Sequence, residues 1–171
     1  YIPDRLDLDF MKQKKIHKGS ARTCVWFGYS HNAHCLKETI KRLKEYDLDL
    51  ITITDRDISS EICGTINADY RDRIKFVKFE IETINDNIIK GDIVLFPPSR
   101  KPRDKFKSDN KTVHAWALGM PVASTAEDLQ KFLDPKERTA ETEKRYKWAR
   151  KKRDVKLSVK EYQDLIEEIK K

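Results

Sequence analysis

The feature that most narrows what this chain can fold into is a repeated change of period. Four short apolar runs, TCVWFG at 23–28, LDLITITD at 48–55, IKFVKF at 74–79 and DIVLF at 92–96, are rich in β-branched and aromatic residues and are separated by polar stretches. A strand that is apolar at successive positions has both faces covered, which is the signature of a parallel sheet buried between helices. After the first run, Leu36, Ile40 and Leu43 recur at spacings of four and three with Lys and Glu between them, so an amphipathic helix is expected from about residue 32 to residue 46. Residues 83–90 read as a short helix with Thr83 as its cap and Gly91 as its stop. A further helix begins near Asn110, a short fifth strand falls at 121–124, and another helix at 126–132. The expected fold class is α/β: a Rossmann-like, doubly wound parallel sheet of about five to six strands with helices on both faces, plus a C-terminal helical tail.

Three regions follow. Residues 1–22 are polar, with basic positions at Lys12, Lys14, Lys15 and Lys18, and read as a linker or edge segment. Residues 23–135 carry the strand and helix alternation and form the expected domain. Residues 136–171 hold 13 basic and 8 acidic residues and read as a charged helical extension packing on that domain, with Tyr162, Leu165, Ile166 and Ile169 at helical spacing near its end. A chain of 171 residues is long enough for one real core. It opens on Tyr1 rather than Met, which points to a piece of something longer, and it shows neither a signal peptide nor an apolar run of spanning length.

The net charge of +7 favours anionic partners such as nucleotides, nucleic acid or an acidic membrane surface. Cys24, Cys35 and Cys63 are odd in number and lack zinc-ligand spacing, so reduced thiols in a cytoplasmic protein are expected, with no metal site.

Ligands of open α/β sheets bind beyond the carboxyl ends of the strands, where the strand order reverses. The loops after Phe27, Thr54 and Phe96 are therefore the candidates. The first, GYSHNAH at 28–34, has one glycine instead of G-x-G-x-x-G, which disfavours a dinucleotide fold, although Gly28 permits a tight turn. His31 and His34 in that loop can donate to a phosphate or act as acid and base; the plainer reading, a polar loop and a first helical turn, is favoured because local spacing fixes no carboxylate partner. Asp55 can accept hydrogen bonds from ribose hydroxyls, or simply serve the turn. The third loop leads to SDNKT at 108–112. Backbone N–H groups at a helix start, together with the helix dipole, hold phosphate well. There Ser108 and Asn110 can cap or donate, while Lys111 and Thr112 add a charge and a hydroxyl. Ser99, Arg100, Lys101, Arg103, Lys105 and Lys107 make the approach basic; the plainer alternative is a capped helix on a solvated loop.

The run DIVLFPPSRKPRDKFKSDNKTVHAWALGMPVASTAEDL at 92–129 resembles the nucleotide-binding segment in the C-terminal half of GT-B glycosyltransferases: a strand, a loop, Asn-Lys at a helix start, an apolar helix, then Gly-x-Pro-Val. VWFGYSHNAHCLKETIKRL at 25–43 is similar to that family's first strand and helix, and YIPDRLDLDFM at 1–11 to the linker that enters this half. The resemblance implies a donor-binding domain of a hexosyltransferase-like enzyme. Ser108, Asn110, Lys111 and Thr112 would surround the donor diphosphate, with Gly28 near the sugar phosphate. The ligand would be a nucleotide-sugar of UDP, GDP or ADP type, with no tightly bound cofactor or metal. The acceptor would be held by an N-terminal domain, in cis or as a separate subunit, without which the chain is inactive. The family's retaining branch places two glutamates around this helix; here Lys107, Asp109 and His114 stand in the comparable stretch. A cytoplasmic protein, peripheral at the membrane through the basic loop, fits this reading. The alternatives are a nucleic-acid-binding module using residues 99–107 and 150–153 with Phe106, Tyr146 and Trp148 interleaved, or a non-catalytic scaffold docking through residues 136–153 and the last helix.

Overall fold

The computed structural model describes residues 5–98 and 108–170. The basic stretch 99–107, residues 1–4 and Lys171 lie outside the described residues. Strands β1 (Thr23–Phe27), β2 (Asp49–Thr54), β3 (Ile74–Lys78), β4 (Ile93–Leu95) and β5 (Val122–Ala123) form one five-stranded sheet in the order β3-β2-β1-β4-β5. All four pairings are parallel, with Thr23 opposite Asp49 and Cys24 opposite Ile93. This is the doubly wound α/β arrangement expected from the four apolar runs, and its order reverses between β1 and β4.

Successive side chains of a strand point to opposite faces. Cys24, Trp26, Leu50, Ile93 and Leu95 therefore share one core with α1 (Thr39–Glu45), α2 (Ser59–Cys63) and α5 (Ala126–Lys131), which contribute Ile40, Leu43, Ile62 and Leu129. Val25, Phe27, Ile51, Ile53 and Val94 face the second core, built by α3 (Ile84–Ile88), α4 (Asn110–Ala117) and α6 (Pro135–Lys152). The last helix, α7 (Val155–Ile169), buries none of its side chains.

One local expectation is corrected and another is refined. The helix expected over 32–46 is split: residues 30–36 form a 3-10 turn, with Asn32 N–H bonded to Tyr29 O at 2.9 Å, and α1 starts only at Thr39. The loop is pulled tight because Ser30 is tied to Asp55 at the end of the neighbouring strand. Thr83 stands at the N-cap position of α3 as expected but makes no side-chain capping bond; its hydroxyl accepts from Asn87 Nδ2 at 3.3 Å. The polar stretch after Asp55 also contains more structure than its composition advertises. It holds α2 and a 3-10 turn at Ala68–Arg73, anchored by buried Ile58, Ile62 and Tyr70, whose hydroxyl donates to Leu48 O at 2.5 Å.

Residues 5–22 of the segment read as a linker or edge form a strap laid across the second face. Leu8 and Met11 are buried in that core. Lys15 N–H bonds Leu118 O at 2.8 Å, His17 Nε2 meets Gly119 O at 2.8 Å, and Leu6 exchanges backbone bonds with Arg153 and Val155. Arg138 of α6 is fully buried and donates to three carbonyls, Phe132 at 2.7 Å, Leu133 at 2.9 Å and Gly19 of the strap at 2.6 Å. A buried guanidinium without its carbonyl partners would carry a large desolvation cost, so this contact fixes the strap against α6. None of the described helices is long and apolar enough to cross a membrane.

Candidate functional site

Helix α4 leaves the sheet's carboxyl edge and presents its first turn there. Its N-cap residue, Asp109, makes no capping bond; its carboxylate instead takes a two-pronged contact from Arg153 at 2.9 and 2.5 Å. At the other end Gly119, at φ +71°, closes the helix in a Schellman turn, with Met120 N–H bonded to Ala115 O at 2.9 Å and Gly119 N–H to Trp116 O at 3.0 Å. The sequence Leu-Gly-Met-Pro thus stops α4 and aims the chain into β5.

Lys111 lies on the first turn of α4. Its ammonium is 5.9 Å from the ring centres of both Trp26 on β1 and Phe96 just beyond β4. Those rings flank the place where strand order reverses, so the lysine spans the gap between β1 and β4. Gly28 makes this approach possible: at φ +153° it takes a conformation that side-chain-bearing residues seldom adopt, and a Cβ there would lie 2.5 Å from Lys111 Nζ.

Beneath Lys111 opens a mainly apolar cleft of about 730 Å³. Gly28, Asp55 and Lys111 all line it, so three of the residues singled out in the sequence converge. Phe10 of the strap, Tyr29, Phe79 and Ile81 supply exposed apolar surface to the same cleft, and Lys78 a second amine. Asp55 accepts from Ser30 N–H at 2.7 Å, Thr54 hydroxyl at 2.9 Å and Ser30 hydroxyl at 2.9 Å. Led by the Ser30 N–H, these bonds hold its carboxyl well below the usual carboxylate range, so it is ionised at neutral pH.

His114, one turn further along α4, forms part of the wall. Burial pushes its pKa down to about 4, so the ring is neutral at pH 7. Its Nε2 bonds Asn85 Oδ1 at 2.7 Å, and Asn85 Nδ2 donates to Phe10 O at 2.9 Å. A neutral ring facing an amide oxygen carries its proton on Nε2, which leaves Nδ1 as the ring's acceptor. This chain joins α4, α3 and the strap around the cleft, and Phe27 packs edge-on to His114 at 5.5 Å.

The other sequence candidates lie elsewhere. His31 stacks on Tyr29 with ring centres 5.7 Å apart and does not itself line the cleft. His34 turns back on its own loop, with Nδ1 3.2 Å from His31 O, and does not line the cleft. Ser108 is exposed, and Asn110 Oδ1 accepts from Arg153 at 3.3 Å. Thr112 lines a separate polar hollow of about 380 Å³ with Trp116, Asp128 and Arg145. Phe10, Lys78, Phe79, Ile81 and Asn85 had no signal of their own in the sequence. Among the described residues no cluster of His, Cys, Asp and Glu could hold a metal ion. Comparison with known families and with curated proteins finds no match for this chain.

Proposed function

We propose that this chain binds the diphosphate of a nucleotide-sugar and is the donor-holding half of a GT-B type glycosyltransferase. One observation carries the reading: Lys111 reaches across the sheet at its switch point, over Gly28, above a cleft of nucleotide size. A doubly wound sheet collects its ligands at that crevice, and the start of α4 adds the positive end of a helix dipole there. Lys111 neutralises the charge that gathers on the nucleoside diphosphate as the bond to the sugar breaks, which is stabilisation aimed at the transition state. Ser108 and Asn110 flank the same helix start, and His31 stacks on Tyr29 of the cleft wall. The acceptor belongs to a separate domain, so this chain alone binds donor without turning it over.

Isothermal titration calorimetry with UDP, GDP and ADP tests the reading. At least one should bind in the micromolar to millimolar range, on the order of −4 to −8 kcal/mol, and Lys111→Ala should weaken it about tenfold or more. Silence from all three ligands removes the proposal.

A further inference from the structure

The cleft has two walls carried by elements far apart in the chain. The strap supplies Leu6, Asp7, Phe10 and Met11, while α4 supplies Lys111 and His114. Both walls are tied to one corner, residues 152–155, where α6 passes into α7. On the strap side Leu6 N–H donates to Arg153 O, and Leu6 O accepts from Val155 N–H, each at 2.9 Å. Arg5 extends that tie along α7: its guanidinium donates to both oxygens of Glu161, at 2.7 and 2.6 Å, and to the Ser158 hydroxyl at 3.0 Å. On the α4 side two nitrogens of Arg153 hold Asp109, the N-cap residue of the helix that carries Lys111.

The two charged contacts are built alike. Each is two-pronged, and the Arg5 and Arg153 side chains are only 7% and 12% exposed. A bidentate guanidinium–carboxylate pair of that kind fixes position as well as charge. The pair between Lys156 and Asp9 is different: one contact at 2.7 Å between side chains 65% and 69% exposed, which contributes little. Arg5, Asp109, Arg153 and Glu161 all stand outside the cleft lining. Resting on the reading of the cleft as a diphosphate site, we propose that the α6–α7 corner sets the spacing of the cleft's two walls, with the Glu161–Arg5 and Asp109–Arg153 pairs as positioning residues rather than ligand contacts.

The sign of the effect separates positioning from charge. Glu161→Gln and Asp109→Asn keep the shape of the side chain and each remove one negative charge, so long-range electrostatics alone would leave an anion bound as tightly or more tightly. Positioning demands the reverse. The intact chain is titrated calorimetrically with UDP, GDP and ADP. Whichever nucleotide binds wild type should bind each variant about threefold to tenfold more weakly, and Lys156→Gln within about twofold of wild type. Hydrogen exchange supplies a second readout: the Leu6 and Val155 amides should exchange about tenfold faster in Glu161→Gln, while those of β1 keep their wild-type rates. Because coupling is reciprocal, bound nucleotide should slow the Val155 amide in wild type, an arm that needs no variant to fold. Variants that bind as tightly as wild type, Leu6 and Val155 amides no faster in Glu161→Gln, or a Val155 amide indifferent to bound nucleotide each overturn the positioning role and leave the diphosphate site standing. If none of the three nucleotides binds, the diphosphate reading falls and this inference with it.

Discussion

The sheet has two faces built from alternate residues of the same strands, and they finish differently. On the face of α1, α2 and α5, Cys24, Trp26, Leu50, Ile93 and Leu95 meet Leu36, Ile40, Leu43 and Leu129, and the packing is mainly apolar. On the other face α3 is only five residues long, and the strap with Leu8 and Met11 supplies what the helix lacks. There the wall is completed by a polar chain, His114 to Asn85 to Phe10 O, and the carboxyl end stays open as the cleft. One face stabilises the domain; the other gives up packing at its carboxyl end to present Lys111 and Asp55.

This contrast orders the effects of mutation. Ile40→Ala, in the sealed core, removes a fully buried side chain and should lower unfolding free energy by about 2–5 kcal/mol, read from urea denaturation. Acid should attack the open face. His114 titrates at about 4 when folded against roughly 6.5 when unfolded. The unfolded chain therefore binds the proton first, so His114's contribution is complete above pH 6.5 and is lost as pH falls towards 4. The expected slope is up to about 1.4 kcal/mol per pH unit, on the order of 3 kcal/mol in all, and His114→Gln should flatten it. A pH-independent difference between wild type and His114→Gln would mean that the ring is not held neutral by burial. Asn85→Ala unties Phe10 O and leaves His114 Nε2 unpaired, and should cost about 1–2 kcal/mol. The smallest change is expected for Phe79→Ser at the exposed rim. Its stability should stay within about 0.5 kcal/mol of wild type, while nucleotide affinity falls if the cleft is the site.

The sheet was legible in the sequence because burial on both faces leaves an unbroken apolar run, as in Val25 to Phe27 and Ile93 to Leu95. Gly28, Asp55 and Lys111 were legible because a doubly wound order places strand-end loops together before any distance is known. Thr112 shows where such reasoning stops. It neighbours Lys111 in sequence, but consecutive helical residues project about 100° apart, so the two reach different hollows. Phe10, Phe79 and Ile81 were invisible for another reason. Their place in the cleft depends on β3 lying beyond β2 and on the strap crossing α3, neither of which is written in local pattern. The polar stretch after Asp55 concealed α2 because a five-residue helix is too short to show a period.

The strap carries a consequence for the order in which the molecule can be made. Among the described residues, the hydrogen bonds of its stretch 5–21 to the rest of the chain include those with Asn85, Ile89, Leu118, Gly119, Leu133, Arg138, Arg150 and Arg153, and all of them reach residue 85 or beyond. Gly19 must wait for Arg138, 119 positions later. On the ribosome, the strap emerges ahead of the sheet yet has nowhere to lie until α4 and α6 have been synthesised. The part of this chain translated first is the part that settles last.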